Sequence, residues 1–178
     1  CEAKGPGQPA VALTLPKSGF IDDLQNSVMT DGRFKVLRLH RKALKVIANC
    51  FFGELVDDNN YRQDNDDITA RKMAYRRFMI EVCRDLVPRI GVEVAITGNF
   101  SFYAEQEFAA ALDHLGVPVV AMHKECMKTQ GVEPFYEKVY RERKMPFQGR
   151  MITTYNEIER RIEINAGIVA AENVVATG

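Results

Sequence analysis

The sequence has no net charge and no long apolar run, and each absence argues against a class of protein. Lys and Arg together number 24, as do Asp and Glu together. This balance argues against a general polyanion binder, although charge can be segregated locally, and we expect no nucleic-acid partner. No stretch approaches the roughly 18 to 20 apolar residues of a membrane span. The composition is therefore typical of a globular core rather than of a nucleic-acid or membrane-spanning protein.

Several common catalytic and phosphate-binding motifs are also missing. The chain contains no GxGxxG and no GxxxxGK[ST], the two loops that most often cradle phosphates. It contains neither the GxSxG elbow of hydrolases nor the HExxH of zinc proteases. The nearest substitute is the short segment Lys17-Ser18-Gly19, whose backbone amides and cation offer a weak anion site.

The four cysteines are few and far apart. They are Cys1, Cys50, Cys83 and Cys126, without any CxxC pair. Structural zinc sites normally need clustered pairs, so the cysteines predict no such site. Cys50 and Cys83 fall within helical apolar patterns, which predicts two small core residues. A reduced, cytoplasmic setting is the simplest inference from this spacing.

Apolar periodicity predicts an alternation of strands and helices behind a Gly- and Pro-rich leader at 1–10. The predicted strands are 11–15, 34–39, 92–97, 117–122, 151–155 and 174–177. The predicted helices are 21–29, 42–52, 68–87, 103–115, 134–144 and 157–165. Such alternation favours a mostly parallel sheet with right-handed crossovers. We therefore predict one Rossmann-like α/β domain, a three-layer sandwich, over 11–178.

The polar segment 57–67 allows two interpretations. Its carboxylates resemble a calcium loop, but an EF-hand counted from Asp57 needs Gly and Glu where the chain has Arg62 and Ile68. Asn and Asp side chains also bond nearby backbone groups. We therefore favour a solvated loop that caps the following helix.

The ends of the predicted strands carry the candidate functional residues. Ligands of an open parallel sheet bind beyond the carboxyl ends of its strands, so these ends should converge along one edge. The candidates there are Lys17, Ser18, Asn99, Tyr103, His123, Lys124, Glu125, Asn156 and Glu157. The most concentrated group is His123-Lys124-Glu125, which follows the apolar run "VPVVAM" directly. We expect this triplet to contact substrate.

Each strand end also has a structural explanation. Asn99 or Ser101 could cap the helix that follows, and Asn156 could cap the next one. Glu157 in the first turn of a helix is favourable for the helix dipole alone. Lys124 and Glu125 could pair with each other. These alternatives remain open at the level of the sequence.

The order of the strand ends resembles a known family. The segments "GNFSFYAEQEF", "GVPVVAMHKE", "ITTYNEIERRIEINAGI" and "ENVVATG" resemble the N-terminal half of GT-B glycosyltransferases, closest to bacterial capsule and O-antigen biosynthesis proteins. More distantly, the layout is similar to CDP-glycerol glycerophosphotransferases and non-hydrolysing UDP-N-acetylglucosamine 2-epimerases. The resemblance covers roughly 85–178 and is only architectural before that.

The resemblance implies a two-domain enzyme of which this chain is the acceptor-side half. A second Rossmann-like domain after Gly178 would supply most of the nucleotide-sugar site, so we expect the isolated chain to be inactive. The implied partners are a nucleotide-sugar donor and a saccharide acceptor, with peripheral membrane association of the full-length protein at the inner face. The residues implied to line the cleft are Asn99, Tyr103, His123, Lys124, Glu125, Asn156 and Glu157.

Sugar transfer needs an acid or base at the reacting hydroxyl and positive charge near the leaving phosphate. We assign the acid/base role to Glu125, with His123 as the alternative base, and a phosphate or carboxylate contact to Lys124. Asn99, Tyr103 and Asn156 would position hydroxyl groups. No DxD-type pair lies at a strand end, so we expect neither a metal nor another cofactor. The other hypotheses are a sugar-nucleotide 2-epimerase and a non-catalytic α/β binding module.

Overall fold

A computed structural model describes residues 9–15, 30, 32–53, 57, 61–62, 65–123, 128–143 and 146–177. These residues form a six-stranded sheet whose strands are β1 (Ala10–Leu15), β2 (Phe34–Arg38), β3 (Val92–Thr97), β4 (Val119–Met122), β5 (Met151–Thr154) and β6 (Val174–Ala176). The predicted helix at 21–29 lies outside the described residues.

All neighbouring strands of the sheet are parallel, in the order β2-β1-β3-β4-β5-β6. The predicted α/β, Rossmann-like class is therefore confirmed. The strand order reverses direction at β1, because β2 lies on one side of it and β3 on the other. The gap between the ends of β1 and β3 is thus the topological switch point, where ligands of such sheets bind.

The described helices are α1 (Arg41–Phe52), α2 (Asp66–Ile90), α3 (Tyr103–His114), α4 (Glu133–Arg143) and α5 (Glu157–Asn165). A 3₁₀ turn, Ala171–Asn173, precedes β6. Helix α2 extends beyond both ends of the predicted 68–87. Its last turn includes Pro88, and it ends only at Gly91, whose φ of 75° is the left-handed conformation.

The core is divided between two halves of the sheet. Side chains of β1 and β3 pack with α1, α2 and α3 in a cluster that includes Leu15, Leu44, Tyr75 and Phe108. Side chains of β4, β5 and β6 pack with α4 and α5 in a second cluster that includes Ala121, Tyr140, Ile152 and Ile162. The second cluster holds the ends of β4 and β5, where the candidate triplet begins.

Helix starts and cysteines test several smaller predictions. Asn65 caps α2 by accepting a hydrogen bond from the Ile68 amide at 2.9 Å, which confirms the cap that the polar segment was predicted to provide. Cys83 is buried as predicted, but Cys50 is exposed and that prediction is wrong. The buried face of α1 contains Ala48, and Cys50 lies two residues, or about 200°, around the helix from it.

Among the described residues, no helix combines the length and the apolarity needed to cross a membrane.

Candidate functional site

The carboxyl ends of the central strands bring three of the predicted residues to one edge of the sheet. Asn99 follows β3, His123 follows β4 and Asn156 follows β5. The backbone extends the pairing one residue beyond β4, because the His123 amide donates to the Thr153 carbonyl at 2.9 Å. This edge is thus fixed by main-chain bonds up to the first residue of the His-Lys-Glu triplet.

His123 lies in a buried acidic cluster that the sequence did not predict. His123 is 7% exposed, and Glu159 and Glu163 on α5 are fully buried. The Nδ1 atom of His123 lies 2.8 Å from Oε1 of Glu163 and 3.1 Å from Oε1 of Glu159. The imidazole also makes a T-shaped contact with the Phe100 ring, with centroids 5.1 Å apart. The imidazole is therefore held by charge on one side and by apolar packing on the other.

Burial and the two carboxylates act in opposite directions on His123. Burial alone would lower the pKa of the imidazole, but hydrogen bonding and attraction from Glu159 and Glu163 outweigh it and raise the pKa to about 9. The pKa of Glu163 is raised by its own burial, although His123 pulls it down. An imidazole in this state keeps its proton at neutral pH. It is therefore better suited to anchoring the end of β4 than to acting as a free base.

Two carboxylates four residues apart explain how α5 reaches His123. Residues at i and i+4 share a helix face, and Ile162 between them lies in the second core cluster. Packing Ile162 against the sheet therefore turns Glu159 and Glu163 inward as well. Sequence reasoning missed them because it treats charged residues as exposed. The signal was their spacing on either side of a core isoleucine.

Asn99 shapes the turn after β3 instead of capping a helix. Its Oδ1 accepts hydrogen bonds from the Ser101 amide at 2.7 Å and from the Ser101 hydroxyl at 2.9 Å. The N-cap of α3 is Phe102, which makes no side-chain capping bond. The prediction that Asn99 or Ser101 caps this helix is therefore wrong. Asn99 bonds its own turn because its side chain reaches the amide two residues on.

The switch point between β1 and β3 contains an ion pair that sequence reasoning also missed. Glu105, in the first turn of α3, accepts from the Thr97 hydroxyl at 2.8 Å and from Arg41 of α1. The Arg41 guanidinium lies 4.0 Å from the centre of the Phe102 ring. A cavity of about 10 Å³ remains beside Asn99. It has room for about one water molecule.

Asn156 caps α5, as the structural explanation of this strand end predicts. Its Oδ1 accepts from the Glu159 amide at 2.9 Å, and its Nδ2 donates to the Lys128 carbonyl at 2.9 Å. Both ends of the amide are thus engaged within the protein. Asn156 holds α5 against the segment that follows β4, and through α5 it sets the position of Glu159 and Glu163.

Two other predicted residues lie apart from His123. Tyr103 is buried in the first core cluster, and its hydroxyl donates to Oδ1 of Asn49 at 3.0 Å. Glu157 is exposed at the start of α5, where it pairs with Arg160 at 3.2 Å. The structure therefore gives Tyr103 a packing contact and Glu157 a position favourable for the helix dipole.

Lys17, Ser18, Lys124 and Glu125 lie outside the described residues. Lys128, which was not among the predicted residues, is the first cationic residue after the triplet in the sequence that the structure describes. It is buried, and its Nζ lies 3.6 Å from the centre of the Tyr136 ring. The ammonium thus rests on an aromatic face close to the acidic cluster.

A larger apolar groove lies elsewhere in the described structure. Its volume is about 370 Å³, within the range of small-molecule sites. Its walls come from β1, β2, β3, α1, α2 and α3 and include Leu13, Leu39, Met79, Val82 and Leu86. A saccharide needs several convergent hydrogen-bonding groups, which this lining does not provide. The carboxyl edge is therefore the better candidate for a polar substrate.

Comparisons with known proteins give structural likenesses only, and these are distant. No family model matches the sequence, and no curated protein matches it significantly. The fold is similar to the crystal structure of UDP-GlcNAc 2-epimerase from Neisseria meningitidis bound to UDP-GlcNAc, with a TM-score of 0.49 and 9% identity. The match covers 95% of this chain and 46% of that chain. The chain thus spans about half the length of that protein, and a likeness this weak assigns no activity.

Proposed function

We propose that this chain is the acceptor-side domain of a two-domain glycosyltransferase. The intact enzyme would move a sugar from a nucleotide-activated donor to a saccharide acceptor in surface polysaccharide biosynthesis. The observation that carries the proposal is the gathering of Asn99, His123 and Asn156 at the carboxyl ends of β3, β4 and β5. An edge of this kind is where open parallel sheets bind their ligands.

The proposed chemical roles are supported by the anchoring of His123 and by the two residues that follow it in the chain. His123 is anchored by its backbone to Thr153 and by its side chain to Glu163. The two residues after it, Lys124 and Glu125, supply a cation and a carboxylate. We assign the acid or base at the acceptor hydroxyl to Glu125 and a contact with the donor phosphate to Lys124.

The remaining predicted residues take supporting roles in this proposal. Asn99 shapes the turn at the switch point, and Asn156 fixes the start of α5 beside His123. Lys17 and Ser18 follow β1, the strand on the other side of the switch point, and would face the same ligand. We place the reaction in the cytoplasm, with the intact protein associating peripherally with the inner face of the membrane.

Product analysis of the intact protein tests this function. The protein is incubated with a panel of UDP-, GDP-, CMP- and CDP-activated sugars, first alone and then with oligosaccharide acceptors. A glycosyltransferase releases nucleotide at a rate that rises with acceptor and yields a lengthened saccharide. Release of an epimerised sugar without acceptor would show the epimerase instead. Donor binding with no product under either condition would leave only the binding module.

A further inference from the structure

The buried cluster of His123, Glu159 and Glu163 has more negative charge than its own hydrogen bonds satisfy. The Nδ1 atom of His123 carries at most one proton, and the nearer acceptor is Glu163 at 2.8 Å. Oε2 of Glu159 and Oε2 of Glu163 are buried without a hydrogen-bond partner among the described residues, and Oε1 of Glu159 has only the longer, 3.1 Å contact with the same Nδ1 atom. A buried carboxylate in this position is costly unless a cation or donors compensate it.

Lys128 compensates this charge only in part. It lies close enough to favour the charged form of Glu163. Its ammonium, however, rests on the Tyr136 ring at 3.6 Å. Among the described residues, no ion pair joins Lys128 to Glu159 or Glu163 within 4.0 Å. Within the part of the chain that the structure describes, Glu159 therefore has only His123, at 3.1 Å, as an ion-pair partner, and no lysine or arginine lies within 4.0 Å of its carboxylate.

The arrangement of the three side chains matches the ligand set of a divalent transition metal ion. Their candidate ligand atoms lie within 4.8 Å of one another, and two of the separations are 2.8 Å and 3.1 Å. Ligands bound at about 2.0 to 2.2 Å around one ion are about 3.0 to 3.5 Å apart. One imidazole nitrogen with two carboxylates suits Zn²⁺ or Mn²⁺ better than Ca²⁺, which prefers oxygen alone. Two carboxylates also balance the charge of a divalent ion.

We propose that His123, Glu159 and Glu163 bind a divalent transition metal ion at the end of β4. The fold holds these ligands in advance. Main-chain pairing with β5 fixes His123, and the Asn156 cap fixes the start of the helix that carries both glutamates. The bound ion would replace the His123 proton between the two carboxylates and hold α5 to the sheet edge. This inference departs from our sequence-based expectation of no metal. It does not rest on the proposed function.

Metal titration of the intact protein tests this site directly. The protein is stripped with chelator and dialysed, and Mn²⁺ binding is followed by electron paramagnetic resonance. Mn²⁺ is chosen because it prefers oxygen and nitrogen ligands to the four cysteine thiols. Zn²⁺ then competes for the same site. We expect one ion per chain, displaced by Zn²⁺, together with a rise in the thermal unfolding temperature.

Matched variants locate the bound ion. Glu163→Gln and Glu159→Gln should each weaken Mn²⁺ binding by about 100-fold or more, because each removes a ligand and its charge. Glu157→Gln, an exposed position on the same helix, and His114→Gln, an exposed histidine, should bind as the wild type does. Wild-type binding in both cluster variants would overturn the proposal, as would a wild type that takes up no ion. A wild type that takes up no ion would mean that the three side chains form only a hydrogen-bonded cluster. This outcome can be read from the wild type alone, whether or not the variants fold.

Discussion

Replacing Glu107 tests the contacts that join α3 to α2 and to Tyr61. Glu107 is buried on α3, where one carboxylate oxygen accepts from the Tyr61 hydroxyl and the other accepts from Nε of Arg76 of α2 at 2.6 Å. Tyr61 is 1% exposed, and burial raises the pKa of its hydroxyl, so that group stays protonated and needs an acceptor. The side chain of Arg76 is 40% exposed and can reach water.

Glu107→Ala should lower the free energy of unfolding by about 2 to 5 kcal/mol. The unpaired Tyr61 hydroxyl costs about 1 to 3 kcal/mol, since the residue is buried. The half-exposed pair with Arg76 contributes about 0 to 1 kcal/mol. Loss of a buried methylene adds about 0.8 kcal/mol. Urea unfolding followed by circular dichroism measures the sum.

A double-mutant cycle separates the hydroxyl from the other contributions. Tyr61→Phe removes the donor, so Glu107→Ala in that background no longer leaves a buried hydroxyl unpaired. The double variant should therefore be more stable than the sum of the single effects by about 1 to 2 kcal/mol. Additive effects within about 0.5 kcal/mol would refute the hydrogen bond as the source. A Glu107→Ala cost below about 1 kcal/mol would refute the whole estimate.

Three further predictions concern α5 and the cysteines. Asn156→Ala should cost about 1 to 2 kcal/mol in urea unfolding, and Asn156→Asp should recover most of it; equal losses would reject the cap. Ile162→Ala should cost about 2 to 5 kcal/mol and Ile162→Val about 0.5 to 1.5 kcal/mol, and a near-zero cost of the alanine would remove Ile162 from the core. Burial raises the pKa of the Cys83 thiol to about 11, so at pH 8 iodoacetamide should label exposed Cys50 and spare Cys83 in the folded protein. Peptide mapping that finds equal labelling of the two would contradict this.

The sequence predicts the sheet well because strand and helix periods are local properties. Runs such as 92–97 and 151–155 have apolar patterns bounded by turn residues, and the structure places strands there. The strand order follows from crossovers between distant segments. It therefore became known only from the structure.

The candidate site was predictable only in part, for a related reason. His123 and Asn156 lie at strand ends that the pattern locates, and both are at the expected edge. Glu159 and Glu163 depend on which face of α5 turns inward, and that face is decided by the packing of Ile162. Tyr103 has a polar hydroxyl that favoured a ligand role. Its ring instead packs in the core with Phe52, because burying an aromatic ring is favourable and its hydroxyl finds a hydrogen-bond acceptor in Asn49.

The chemistry assigned to the carboxyl edge is tested most directly by the transfer rate of one variant. In the intact protein, with an active donor and acceptor pair, Glu125→Gln should slow transfer by about 100-fold or more, as expected on loss of an acid or base. Arg150→Gln serves as the control, since Arg150 is exposed at the amino end of β5, on the opposite edge of the sheet. The account predicts that this control keeps the wild-type rate. A wild-type rate in Glu125→Gln would contradict the account.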